Sequence, residues 1–126
     1  MTQSLKLSVQ SFRAAIRTRP TEEQQRMNLA LKFTIQAHEG QTRDSGEPYA
    51  VHPIAVATSV ATWGMDTDSI VAALLHDTIE DVDSVRLSDL ETQFGRSVRR
   101  LVKGLTKLSK RPNAKLKADR DLLDLK

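Results

Sequence analysis

Residues 70–81 read IVAALLHDTIED, and no other stretch of the chain limits its fold so strongly. Ile70 through Leu75 are apolar on every side of a helix, and a helix without a polar face normally sits at the centre of a domain. That run passes without a break into His76, Asp77, Glu80 and Asp81. Burying one histidine and three acids is costly unless partners repay the lost hydration. On a helix His76 and Glu80 are i,i+4 neighbours, and so are Asp77 and Asp81, so the four groups project over adjoining faces. A helix end emerging into solvent accounts well for Glu80, Asp81 and Asp83. It accounts poorly for a His-Asp pair directly after Leu74 and Leu75. Spacing alone leaves both a solvated helix end and a metal or acid–base site open.

The rest of the chain predicts further helices with short joints and no repeat. The first covers about 5–17 and is ended by Pro20. Thr21 offers an N-cap with Gln24 as its capping-box partner, and Glu22 and Glu23 suit the positive end of the helix that runs to His38. Residues 39–48, EGQTRDSGEP, hold two glycines and a proline among polar side chains and read as a loop. A helix over about 53–63 stops at Gly64, and Asp66 or Thr67 caps the central one. Ser88 and Glu91 form a second capping box before Leu90 and Phe94, with Gly95 as the stop. Residues 97–108 are amphipathic, with Val98, Leu101, Val102 and Leu105 on one side. Arg111, Pro112 and Asn113 break that helix, and a Leu- and Lys-rich helix closes the chain.

Nothing alternates with period two for long enough to require a sheet. One tryptophan, one tyrosine and three phenylalanines are the only aromatic residues, so the core must be mostly aliphatic, which suits packed helices. The expected class is all-α, with 126 residues making a single domain. The absence of cysteine excludes disulfides, thiolate metal sites and cysteine catalysis. No apolar run approaches the ~20 residues of a membrane span, and the first 20 residues lack the apolar centre of a signal peptide. A soluble cytoplasmic protein with no membrane partner is expected. Nine basic residues lie between Arg99 and Arg120 against Asp119 alone. Such a run attracts phosphate-rich ligands or is simply a solvated face. No aromatic residues interleave with it, so nucleic acid is not an expected partner.

His52, just before Pro53, is the second chemical signal. Alone it reads as a loop histidine. Beside His76 and Asp77 it completes two imidazoles and a carboxylate, a donor set that suits a divalent transition metal better than calcium or magnesium. Such an ion polarises a phosphoryl oxygen and acidifies a bound water. In that reading His52, His76 and Asp77 hold the metal, while Glu80 and Asp81 manage the proton.

Three strings then carry a family resemblance: AHEGQTRDSGEPYAVHPIAVA at 37–57, AALLHDTIED at 72–81 and FGRSVRRLVKGLTKL at 94–108. In this order and without a large gap, they resemble the HD-type hydrolase domain of RelA/SpoT-type alarmone enzymes over about 29–108. The resemblance implies an HD-domain helical bundle that uses Mn²⁺ to remove the 3′-pyrophosphate of ppGpp or pppGpp in the stringent response. Its products are GDP or GTP and pyrophosphate, making it a guanosine-3′,5′-bis(diphosphate) 3′-pyrophosphohydrolase. The family's metal ligands fall on His52, His76 and Asp77, and its catalytic acid pair on Glu80 and Asp81. Its RxSGEPY loop places Arg43, Ser45 and Tyr49 at the guanine nucleotide, Arg43 acting by charge or by stacking on the base. His38 and Gln41 also match, and they read as packing or supporting residues.

Two departures stand out. The family usually has a basic residue after Arg43, where this chain has Asp44. An acid there weakens polyphosphate binding unless it points away. The family also draws a fourth metal ligand from a late LADRLHN-like motif. Here Ala118-Asp119-Arg120 comes only 11 residues after Leu108 and runs into Asp121-Leu122-Leu123. The expectation is a C-terminally truncated domain without its last ligand helix, from a longer parent that can carry a synthetase domain. Otherwise Asp119, Asp121 or Asp124 substitutes, or the metal shell stays open. A missing helix leaves apolar surface bare, so self-association into a homo-oligomer is expected. Two other functions fit the same residues: an HD phosphohydrolase acting on another nucleotide, and a catalytically silent module that binds nucleotide or protein.

Overall fold

The computed structural model describes residues 1–108, which form six α-helices. These are α1 (Gln3–Ala15), α2 (Thr21–Ala37), α3 (Val51–Thr62), α4 (Thr67–Asp81), α5 (Leu87–Phe94) and α6 (Arg96–Leu108). The only β pairing among the described residues is an isolated bridge between Thr42 and Pro48. The all-α expectation holds. The helix expected after Pro112, and Asp119, Asp121 and Asp124, lie outside the described residues.

α4 is the axis of the fold. It packs against α2, α3 and α6, while α1 rests on α3 and α5 on α6. All six residues from Ile70 to Leu75 are buried, as a helix with no polar face requires. Each fully buried Leu, Ile or Val stabilises by roughly 1.5–3 kcal/mol relative to exposure. α1 supplies Leu5, Val9 and Phe12, a helical stripe that turns inward to the same core and is continued by Ile16 at its C-cap. The hydroxyl of Thr2 caps α1 by accepting the amide of Leu5 at 3.2 Å.

Neither expected capping box forms. α2 begins at Thr21 itself, after Pro20, and the Gln24 amide instead donates backwards to the carbonyls of Arg17 and Arg19. In α5 the cap position is Arg86, whose amide donates to the Asp89 carboxylate at 3.0 Å. Val85 and Leu87, both buried, flank that cap, which lies two residues before Ser88. α6 also differs from expectation. Val98 and Val102 are buried, but Leu101 and Leu105 are 40% and 45% exposed. With Trp63 and Met65 they line an apolar groove of about 510 Å³ between α3, α4 and α6, which reaches His76.

Between α2 and α3 the chain makes a compact hairpin-like loop. The Arg43 amide donates to the Glu47 carbonyl, the Gly46 amide to the Arg43 carbonyl, and the Tyr49 amide to the Gln41 carbonyl. Gly46 closes this turn with φ of 89°, a conformation that favours glycine. The loop delivers the chain to α3 with His52 already in its first turn and Pro53 after it, where a missing amide costs nothing.

Candidate metal centre

The site forms where the polar end of α4 meets the start of α3. His76 and Asp77 come from α4 and His52 from α3. One donor atom from each lies within 4.8 Å of the others. Nε2 of His76 is 3.1 Å from Oδ1 of Asp77, and Nε2 of His52 is 3.6 Å from Oδ2 of the same carboxylate. The two imidazole rings stand 6.2 Å apart, edge to face. The three residues singled out from the sequence as metal ligands are thus brought together.

Their chemistry suits an ion. Nδ1 of His76 lies 2.6 Å from the carbonyl of Ala73, one turn back in α4. A ring nitrogen can only donate to a carbonyl, so Nδ1 carries the hydrogen and neutral His76 keeps its Nε2 lone pair for a metal. Burial would push the Asp77 carboxyl up, but the hydrogen bond and charge of His76, the charge of His52 and the Tyr49 hydroxyl hold it below the ordinary carboxylate value. His52 is lowered by burial and by the charges of Arg43 and His76, against the pull of Asp77. His76 is raised: burial opposes its charge, but Asp77 and the Ala73 carbonyl outweigh that. A buried carboxylate facing two imidazoles is a donor set that suits a divalent transition metal.

The expected acid pair sits beside this centre. Asp81 and Glu80 are half-buried at the last turn of α4. Burial, reinforced by the Asp77 charge, raises the Asp81 carboxyl above its ordinary value, although a hydrogen bond with Tyr49 works the other way. Glu80 lies one helical turn beyond His76.

The loop residues divide. Arg43 is exposed, and its charge reaches His52, which puts it on the rim of the site. Ser45 and Asp44 are exposed on the turn, with the Ser45 hydroxyl 3.5 Å from the Glu47 amide. Tyr49 turns inward, and its hydroxyl donates to Oδ2 of Asp77 at 3.2 Å. Sequence reading missed that contact, which spans 28 residues and leaves no local pattern. His38 is buried, as a packing residue should be; its Nδ1 pairs with Oε1 of Gln41 at 2.8 Å. Gln41 in turn donates to the Asp81 carbonyl at 3.0 Å, tying the loop to the end of α4.

Comparison with known proteins gives consistent relatives. A family model described as HD domain matches residues 30–123. The chain is 41% identical over 104 residues to the putative chloroplastic GTP diphosphokinase RSH1 of Arabidopsis thaliana, covering 82% of this chain and 12% of that protein. It is 47% identical over 91 residues to the bifunctional (p)ppGpp synthase/hydrolase SpoT of Escherichia coli K12, covering 72% of this chain and 13% of that one. To the guanosine-3′,5′-bis(diphosphate) 3′-pyrophosphohydrolase of Vibrio cholerae it is 57% identical over 74 residues, 59% of this chain and 10% of the relative. The chain therefore spans about one-eighth or less of the length of these curated relatives.

Proposed function

The chain belongs to the HD-domain family and is homologous over most of its length to RelA/SpoT-type alarmone enzymes, and on that footing we propose that it hydrolyses the 3′-pyrophosphate of ppGpp or pppGpp to give GDP or GTP and pyrophosphate. The observation that carries the reading is the convergence of His52, His76 and Asp77, with donor atoms within 4.8 Å of one another. Of the activities in the relatives' names, synthesis and hydrolysis, a metal-ligand cluster beside a second acid pair suits hydrolysis.

In this proposal His52, His76 and Asp77 hold a divalent transition metal, Mn²⁺. When bound, such an ion polarises a phosphoryl oxygen and acidifies a coordinated water. Asp81 takes the proton role. Its carboxyl is raised towards the range in which it can both accept a proton from water and return it to the leaving ribose oxygen. Glu80, one turn from His76, orients the attacking water. Arg43, on the rim beside His52, meets the polyphosphate or the guanine, and Ser45 and the ring of Tyr49 flank the nucleotide from the same loop, leaving the Tyr49 hydroxyl to Asp77. The cytoplasm is the proposed compartment, and a synthetase domain is the proposed neighbour within a longer parent.

Product analysis tests the reading. With ppGpp and Mn²⁺ the chain should release pyrophosphate and GDP, and both chelation and Glu80→Gln should abolish release. Turnover of a different nucleotide with ppGpp left intact would reject the alarmone substrate while keeping the hydrolase. No metal-dependent turnover of any nucleotide phosphate would reject both.

A further inference from the structure

We infer that Tyr49 is a positioning residue of the metal centre: its hydroxyl sets the orientation of the Asp77 carboxylate, and His38 and Gln41 brace it for that task. The inference rests on the metal-centre reading above.

Asp77 has two oxygens, and each already has a direction. Oδ1 faces Nε2 of His76 at 3.1 Å, and Oδ2 accepts the Tyr49 hydroxyl at 3.2 Å while lying 3.6 Å from Nε2 of His52. The phenol opposes rotation of the carboxylate about its Cβ–Cγ bond, as do the two imidazoles, which must also serve the metal. A donor outside the ligand set removes that freedom at no cost to the coordinating atoms. Hydrogen bonds of this kind fix the geometry and basicity of metal-bound groups.

The phenol can act this way only if it is itself held. Its backbone amide donates to the Gln41 carbonyl at 2.9 Å. Its ring lies against the buried His38 imidazole, centroids 4.8 Å apart and tilted by 36°, and meets the His52 ring at 6.1 Å. Gln41 completes the brace from the other side: its side chain accepts from His38 and donates to the Asp81 carbonyl. One tyrosine and one glutamine thus lock the loop, the end of α2 and the last turn of α4 into a single register.

The test removes one oxygen atom. Tyr49→Phe keeps the ring on His38 and loses only the hydroxyl, and it is titrated with Mn²⁺ alone, without nucleotide, by calorimetry. The expected result is Mn²⁺ binding weakened about 10-fold or more, with the metal-free chain keeping the parent's far-UV circular dichroism and cooperative unfolding. At saturating Mn²⁺, kcat for ppGpp should stay reduced while KM stays at the parent value. Unchanged Mn²⁺ affinity would overturn the inference and leave the metal centre standing. A raised KM with Mn²⁺ affinity and kcat intact would overturn it in favour of direct substrate contact. A parent chain that binds no Mn²⁺ at all would remove the metal reading itself, and the inference with it.

Discussion

Nδ1 of His76 points back at the carbonyl of Ala73, 2.6 Å away, and so the opposite nitrogen of the ring faces Asp77. The helix that buries Leu74 and Leu75 therefore also chooses the tautomer of the first polar residue after them. A ligand orientation that would otherwise need a separate partner comes from one turn of backbone.

Replacing this ring should remove metal binding without unfolding the chain. His76→Ala is expected to weaken Mn²⁺ affinity at least 100-fold in calorimetric titration, since one of three described donors is lost. Its far-UV circular dichroism should match the parent. Affinity within a few-fold of the parent would show that His76 is not a ligand.

Stability of the metal-free chain should depend on pH through the same residue. His76 is raised above its ordinary 6.5 by Asp77 and the Ala73 carbonyl, against burial. Its protonated form thus stabilises the fold below about pH 6, and that contribution disappears as pH rises through the folded value. The neighbouring Asp77 carboxyl acts at the other end: it is lowered, so its contribution persists above its ordinary value and fades only in acid. Thermal midpoints in chelator should fall as pH rises from the ordinary histidine range through the raised value of His76, with the lowered His52 offsetting part of the step. The His76→Gln variant should lose that step. Mn²⁺ affinity should rise over the same interval, because the metal competes with the proton for His76.

Which parts of this were legible in the sequence follows from the range of the forces involved. The burial of residues 70–75 could be read directly, because a helix apolar on all sides has only one place to go. His52, His76 and Asp77 converge as expected, since the polar end of a buried helix needs partners and few segments could supply them. The capping boxes were misread because caps compete locally. Gln24 finds the carbonyls of Arg17 and Arg19, and Asp89 captures the start of α5 before Ser88 can. Leu101 and Leu105 fit the helical period yet line an open groove, because periodicity identifies an apolar face and says nothing of what covers it. The Tyr49–Asp77 hydrogen bond was invisible for a different reason. It joins residues 28 apart, and its geometry depends on how α3 and α4 pack.

The central helix should tolerate little change. Leu74 is fully buried on α4, and Leu74→Ala should cost about 2–5 kcal/mol. Urea unfolding checks this through a lower midpoint at unchanged slope. A loss below about 1 kcal/mol would mean that the position is not part of a well-packed core.

Arg43 should separate binding from chemistry. It lies on the exposed rim, and its charge reaches His52 without belonging to the ligand set. Arg43→Ala is expected to raise KM for ppGpp about 10-fold or more, the worth of a lost charged contact, with kcat little changed. Steady-state kinetics over a range of ppGpp concentrations gives both numbers. An unchanged KM would place the nucleotide elsewhere.

The most direct test of the whole account is a crystal grown with Mn²⁺ and measured for anomalous scattering. The expected result is one strong peak between α3 and α4, within about 2.0–2.3 Å of Nε2 of His52, Nε2 of His76 and a carboxylate oxygen of Asp77. A peak elsewhere, or none at saturating Mn²⁺, would contradict the claim that these three residues form a metal centre.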